Sequence, residues 1–394
     1  MWLRDLPPTG NPISLHTNKA KLPSFEGYRA VYVNSGTAAL ALALKLARVR
    51  QPQINNPEVI LPGYACPDLV AAAEFAGVRP VLADIHADDP GYNIDSLQQV
   101  LSAQTVAVVA INFLGIRERL SLLRESLRSH PQILLIEDNA QWFPERVAAG
   151  PDDLPLSSDA ICFSFGRGKP VSLLGGGLFL ASDSLLSELE KTSANNHTDI
   201  FRLDQGEAGR LPFVAKTLAY NLLLHPALYG LINRNPLLHL GQTVFKPLSG
   251  IQYLDDYRRA LLPANLDKYW ARVTSSKDNL LPQQYLLAQV PAAMNLPAQL
   301  ESRTGRLLRF PIIFPDVESR DAALSELVKK GLGATALYRR YLPEVEGVAG
   351  RLDLKVALPG AVEFAGRLLT LPTHSGVKPA DLDSILSILK KFSN

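Results

Sequence analysis

The stretch VYVNSGTAALALALKLARVRQPQINNPEVILPGYACPDLVAAAEFAGVRPVLADI, residues 31–85, decides the fold class. Short β-branched runs (VYVN at 31–34, EVILP at 58–62, RPVLADI at 79–85) alternate in it with Ala/Leu-rich runs, TAALALALKLARVR and PDLVAAAEFAG, that suit buried helices. The same rhythm continues through TVAVVAIN at 105–112, ILLIED at 133–138, AICFSF at 160–165 and GLFLAS at 177–182. Strands that are apolar throughout, instead of at every second position, are covered on both faces. The pattern therefore predicts an α/β fold, a mostly parallel sheet flanked by helices. Ligands of such sheets bind beyond the carboxyl ends of the strands, so the polar residues just after each strand are the functional candidates.

Past residue 184 the rhythm breaks. LPFVAKTLAYNLLLHPALYGLI (211–232) is strongly apolar, but Lys216, His225 and Pro226 interrupt it. No run of the ~18 to 20 residues needed to span a bilayer remains. A helical hairpin is expected, buried against the rest of the fold or a second subunit, or making peripheral contact with a membrane. From 251 onward come helical segments, the strand-like RLLRFPIIF at 306–314, the helix RDAALSELVKKG and a last helix PADLDSILSILKKF. The expected organisation is an N-terminal arm (1–25), a large domain (26–250) carrying the apolar insertion, and a smaller α+β C-terminal domain (251–394).

At 394 residues the chain can bury a sizeable core, and 40 Lys plus Arg against 38 Asp plus Glu leave no field that would attract nucleic acid. Cys66 and Cys162 both sit in apolar stretches and read as free, reduced thiols. With no apolar run of signal-peptide length in MWLRDLPPTGNPISLH, a cytoplasmic location is expected, and the sequon Asn196-His197-Thr198 reads as chance.

Three strand-end segments carry chemistry. Asn34-Ser35-Gly36-Thr37 opens a long helix, where small residues and free N–H groups favour an anion, although an N-cap Ser has a plain structural use as well. Glu137-Asp138-Asn139-Ala140-Gln141 puts a carboxylate at a strand end with an amide three residues on. Ser164-Phe165-Gly166-Arg167-Gly168-Lys169-Pro170 follows the next strand and leads into Gly175-Gly176-Gly177. A nucleotide-binding P-loop is excluded there: Phe163 stands where its first glycine is required, and Pro170 where Ser or Thr must be. A lysine on a turn between two apolar strands is partly desolvated, which favours the neutral amine that attacks a carbonyl.

Lysine, carboxylate, anion cradle and ring-holding amide are the four needs of pyridoxal 5′-phosphate. In NSGTAAL (34–40), VILPGYACPDLVAAAEFAGVRPVLADI (59–85), LLIEDNAQ (134–141), SFGRGKP (164–170), YRRYLP and LPTH, the chain resembles the DegT/StrS-type nucleotide-sugar aminotransferases, of PLP fold type I. The likeness spans roughly residues 25 to 390. It implies that Lys169 binds the cofactor aldehyde covalently and Asp138 pairs with the ring nitrogen. Gln141 would meet the ring 3-oxygen, and Ser35, Gly36, Thr37 and Ser164 would form the phosphate cradle. Cys66, with Tyr64 nearby, falls where the family often has an aromatic stacked on the ring. Gly166-Arg167 replaces a histidine common in the family. His374 of LPTH reads as structural.

The resemblance further implies a homodimeric transaminase. It would move an amino group from an amino-acid donor, glutamate by likeness, to a nucleotide-linked keto-sugar used in polysaccharide or glycoconjugate synthesis. Two other readings stand beside it. One is a sugar dehydratase on the same cofactor, against which Lys169 argues because dehydratases resembling this family replace that lysine. The other is a non-catalytic interaction protein of polysaccharide assembly.

Overall fold

A computed structural model describes residues 4–18, 22–145, 158–192, 200–207, 209–233, 243–274 and 281–392. The sequon at 196–198 lies outside the described residues. The first half builds β1 (Tyr28–Val33), α1 (Gly36–Arg50), β2 (Glu58–Pro62), α2 (Asp68–Ala76) and β3 (Arg79–Ala83). A small hairpin of β4 (Ile85–His86) and β5 (Asp89–Tyr92) comes next, then α3 (Ile94–Val100), β6 (Thr105–Ile111), α4 (Leu120–Ser126), β7 (Leu134–Asn139), β8 (Ala160–Ser164), β9 (Gly177–Ser182) and α5 (Asp183–Thr192). The hairpin and the short helices α3, α4 and α5 are the elements of this half that the sequence reading does not name. The hairpin's strands are too short to show a period.

Seven strands form one sheet in the order β1-β9-β8-β7-β6-β2-β3. Only β9 runs against its neighbours; the pairs β8–β7, β7–β6, β6–β2 and β2–β3 are parallel, as the apolar strands imply. Register sets where the strands end. Asp138 pairs with Ile111 on one side and Cys162 on the other, while Gly177 pairs with both Ser164 and Val33. The carboxyl ends of β1, β6, β7 and β8 therefore finish at one edge of the sheet.

Helix α1 is buried along most of its length, from Ala38 to Ala47, because its alanines let the backbone lie close against β8 and β9. Its start is fixed by Ser35, whose hydroxyl accepts from Ala38 N–H. Helix α2 stops at Gly77, in the left-handed region at φ 66°, whose N–H returns to Ala73 and Glu74.

The second half holds α6 (Arg210–Leu223), α7 (Pro226–Asn233), α8 (Asp256–Thr274), α9 (Leu281–Gln289), α10 (Leu296–Gln299), α11 (Val317–Lys329), α12 (Pro359–Arg367) and α13 (Pro379–Leu389). An antiparallel pair, β10 (Arg309–Ile313) with β11 (Leu368–Pro372), completes it. The apolar stretch 211–232 is thus the two helices α6 and α7, bent at Leu224-His225, and no helix among the described residues is long and apolar enough to cross a membrane. Phe310, Ile312, Phe364, Leu369 and Ile385 share one apolar cluster with the α1 face of the sheet.

Residues 4–15 of the arm cross the molecule. Arg4 makes two bonds to Asp381, Leu6 is in the core, Ile13 exchanges two bonds with Asn221 of α6, and Ser14 does the same with Asn265 of α8. His374 clasps the arm. Its Nε2 bonds the Pro7 carbonyl and its Nδ1 accepts from Gly376 N–H, so both ring nitrogens serve the fold.

Candidate active site

A cavity opens at the shared strand edge. Gly36, Thr37, Tyr64, Cys66, Asp138, Gln141, Ser164 and Lys169 all line it. Ser35 does not: its hydroxyl is spent on the helix cap, and it shapes the turn beneath the cavity.

The alternation of β7 selects the carboxylate. Successive strand residues face opposite ways, so Glu137 and Asn139 turn to one side and Asp138 to the other. Glu137 and Asn139 are tied into a buried network with Asn112 and Ser158, while Asp138 lines the cavity. Asp138 Oδ1 accepts from Ala140 N–H at 2.9 Å, and Oδ2 has no donor among the described residues. Burial raises the Asp138 pKa above the usual carboxylate value, against the pull of the Ala140 N–H and the positive charge of Lys169. A second cation placed at Oδ2 would relieve that cost.

Lys169 sits on the β8–β9 turn just after Gly168, which adopts φ 75°. The lysine is half-buried, and no hydrogen bond or ion pair holds its Nζ among the described residues. An amine left unpaired on a cavity wall is available to a ligand. The arm supports the turn from behind: Asn11 donates to the Pro170 carbonyl, and the Thr9 hydroxyl lies against Gly168.

The anion cradle is built by close approach. A Cβ on Gly36 would lie 2.6 Å from Ser164 Cβ and 2.8 Å from its Oγ, so only glycine lets the start of α1 touch the end of β8. Ala38 and Ala39 N–H groups are satisfied by Ser35, which leaves the first two N–H groups of the helix, at Gly36 and Thr37, without intrahelical acceptors. Beside them stands Ser164, whose Oγ accepts from Gly166 N–H and keeps its own proton to donate.

Gln141 is held from two sides: its Oε1 accepts from Leu114 N–H at 3.0 Å, and its Nε2 donates to the Tyr338 hydroxyl at 2.7 Å. Tyr338 also lines the cavity. The YRRYLP run points at it, yet its partnership with Gln141, 197 residues away in sequence, is created only by folding. Leu337 and Arg339 on either side of it take φ of 51° and 65°, and Leu114 takes 55°. Such conformations cost energy for residues with a Cβ and persist where the surroundings fix them. Burial holds the Tyr338 phenol well above its ordinary pKa, so it stays protonated.

Tyr64 packs against Phe113, Tyr338 and Phe364 at ring distances of 5.9, 5.4 and 5.2 Å. Cys66 is a wall of the cavity, and burial pushes its thiol up to about 12, so it is neutral and no nucleophile. Asp68, Ile111 and Phe113 line the same cavity without having been singled out by their place at a strand end. Asp68 opens α2, and a carboxylate in a first helical turn is too common to signal a site. Among the described residues no cluster of His, Cys, Asp or Glu is suited to a metal.

Residues 22–209 match the model of the DegT/DnrJ/EryC1/StrS aminotransferase family. Over 366 residues the chain is 22% identical to the dTDP-4-dehydro-2,3,6-trideoxy-D-glucose 4-aminotransferase of Saccharopolyspora spinosa, covering 92% of the chain and 84% of that enzyme. Among solved structures it is similar to an aminotransferase, TlmJ, from Streptoalloteichus hindustanus, with a TM-score of 0.64, 20% identity and coverage of 92% and 85%. It also resembles the E. coli GDP-4-keto-6-deoxy-D-mannose-3-dehydratase with bound hydrated PLP, with a TM-score of 0.63, 16% identity and coverage of 91% and 87%.

Proposed function

We propose, from the match of residues 22–209 to the model of the DegT/DnrJ/EryC1/StrS aminotransferase family, that the cavity holds pyridoxal 5′-phosphate and transfers an amino group from an amino acid, glutamate, to a nucleotide-linked keto-sugar. The observation that carries this reading is a Lys169 amine that has no partner among the described residues, on the same cavity wall as a buried Asp138, one of whose oxygens accepts no bond from them. The residues present fit the cofactor. Among the described residues Asp138 Oδ2 lacks a donor that a protonated ring nitrogen supplies, and the close approach of Gly36 to Ser164 sets the first N–H groups of α1 beside the Ser164 hydroxyl, as a phosphate requires.

When bound, the cofactor supplies an aldehyde that joins covalently to amines and a ring that withdraws electrons from an attached carbon. Lys169 Nζ anchors it and is the group that takes up and returns the proton at the donor's α-carbon. Asp138, kept charged by the ring cation, holds the ring nitrogen protonated. Gln141, fixed by Leu114 and Tyr338, presents its remaining amide hydrogen to the ring oxygen. The Gly36 and Thr37 N–H groups with the Ser164 hydroxyl bind the phosphate. The apolar walls Ile111, Phe113 and Tyr64 exclude water from the reacting carbon.

The relatives support the acceptor class, and a role in polysaccharide or glycoconjugate synthesis by a homodimer is part of the same proposal. Fold likeness to a dehydratase does not displace it, since Lys169 is in place to move protons at an amino donor. The test is borohydride reduction of the holoprotein followed by peptide mapping, with an assay for 2-oxoglutarate from glutamate and a dTDP-linked keto-sugar. A reduced adduct on Lys169 together with 2-oxoglutarate is expected, both lost in Lys169→Ala. An adduct with deoxygenated sugar and no 2-oxoglutarate would give the dehydratase reading. No adduct at all would overturn both.

A further inference from the structure

The turn that carries Lys169 is held loosely from within. Lys169 N–H meets the Gly166 carbonyl at 3.3 Å, and the short bond that closes the turn's base, Leu173 N–H to the Phe165 carbonyl at 2.7 Å, lies beyond the lysine. Further support comes from the arm. Asn11 Nδ2 donates to the Pro170 carbonyl at 3.2 Å, and a Cβ on Gly168 would lie 3.1 Å from the Thr9 hydroxyl oxygen. Pro170 is buried. Proline fixes its own φ at about −65° and keeps the residue before it extended, so a hold on the Pro170 carbonyl reaches the Lys169 Cα with little slack.

Asn11 is itself held in place from both sides. Before it, His374 Nε2 bonds the Pro7 carbonyl at 2.9 Å, and Gly10 passes so close to the same ring that a Cβ would lie 2.5 Å from His374 Cγ. After it, Lys268 Nζ donates to the Pro12 carbonyl at 2.9 Å, and Asn221 brackets Ile13. These contacts, with the Arg4–Asp381 pair farther out, hold the arm whether or not Asn11 donates, so the Asn11 bond adds little to the stability of the fold. Its effect falls on the turn. We propose that Asn11 is a positioning residue of the active site: through the Pro170 carbonyl it sets the direction in which Lys169 presents its amine to the cavity. A reacting group misplaced by about 1 Å loses up to ~100-fold in rate. This role presupposes the cofactor reading, yet the segment that fills it lies outside residues 22–209, the part that the family model matches.

The experiment compares the full-length protein with Asn11→Asp, which keeps the size of the side chain but turns an oxygen instead of an N–H toward the Pro170 carbonyl, and with Asn11→Ala, which adds no charge. In the cofactor-free proteins, hydrogen exchange of peptides spanning 164–173 should be about tenfold faster in both variants. After pyridoxal 5′-phosphate is added, the borohydride-trapped adduct on Lys169 should form ~10- to 100-fold more slowly and kcat should fall alike, with KM for the amino donor unchanged within about twofold. Melting temperatures within a few degrees of the parent separate this outcome from a loss of fold. Exchange or adduct formation at the parental rate would overturn the proposal. So would slow adduct formation joined to a much lower melting temperature, which would make the bond a structural one. A parent protein that forms no adduct would refute the cofactor reading instead, and the exchange comparison alone would then decide whether Asn11 holds the turn.

Discussion

Asp138 is costly to the protein without a ligand, because burial works against its charge. Asp138→Asn removes the charge and keeps the shape, so the cofactor-free variant should unfold at the same temperature as the parent or higher. Its affinity for pyridoxal 5′-phosphate should fall ~100- to 1000-fold, the scale of a broken buried pair of ~3 to 5 kcal/mol. Thermal scans and spectroscopic titration check both halves, and a cofactor-free variant that melts lower would contradict the first. Gly36→Ala forces its new methyl into Ser164 at 2.6 Å and should cost about 1 to 3 kcal/mol. Adding Ser164→Gly should restore the melting temperature but not phosphate affinity, because the hydroxyl donor is gone. At this scale the sequence shows Lys169, Asp138 and Gln141, since each lies at or shortly after the carboxyl end of an apolar strand. It does not show Tyr338, whose value lies in a bond to Gln141 that only the folded chain creates.

Among elements, the strands are legible because burial on both faces leaves nothing polar inside them, and β1, β7, β8 and β9 appear within three residues of their apolar runs. The arm is not legible. It has no period, and its order comes from paired polar bonds to α6, α8 and α13 and from the burial of Leu6 and Ile13. One of these bonds makes it sensitive to acid. Burial alone would raise the Asp381 pKa, but Arg4 and the Lys378 N–H together hold it below the usual carboxylate value. A depressed carboxylate stabilises the fold fully above its unfolded pKa, about 3.9, and that contribution is lost as pH falls through the lower folded value. Pepsin should therefore cut within residues 4–15 only at pH below about 4, whereas Arg4→Ala should be cut already near pH 5. Equal resistance of both proteins would show that the ion pair does not hold the arm.

For the whole molecule, Glu58 of β2 is the cross-tie. It is buried and receives Arg79, the Ser102 hydroxyl at 2.7 Å and Lys355 at 2.7 Å, so it joins the sheet to the C-terminal segment. Together with the apolar cluster that runs from the sheet to β10, β11 and α13, this makes the described parts unfold together. Denaturation should show one transition by both near- and far-ultraviolet dichroism. Glu58→Gln should move it whole, by about 2 kcal/mol, less than a fully buried pair because Arg79 and Lys355 face solvent. Two separate transitions would refute the shared core.

The arm also has a consequence in time. Arg4, Pro7 and Ser14 leave the ribosome before their partners Asn265, His374 and Asp381 have been made. The segment that braces Lys169 from behind therefore gains its contacts in stages, first Pro170 and Asn221, then Asn265, and last His374 and Asp381. The turn that carries Lys169 is thus clasped from both ends of the arm only when translation is nearly finished.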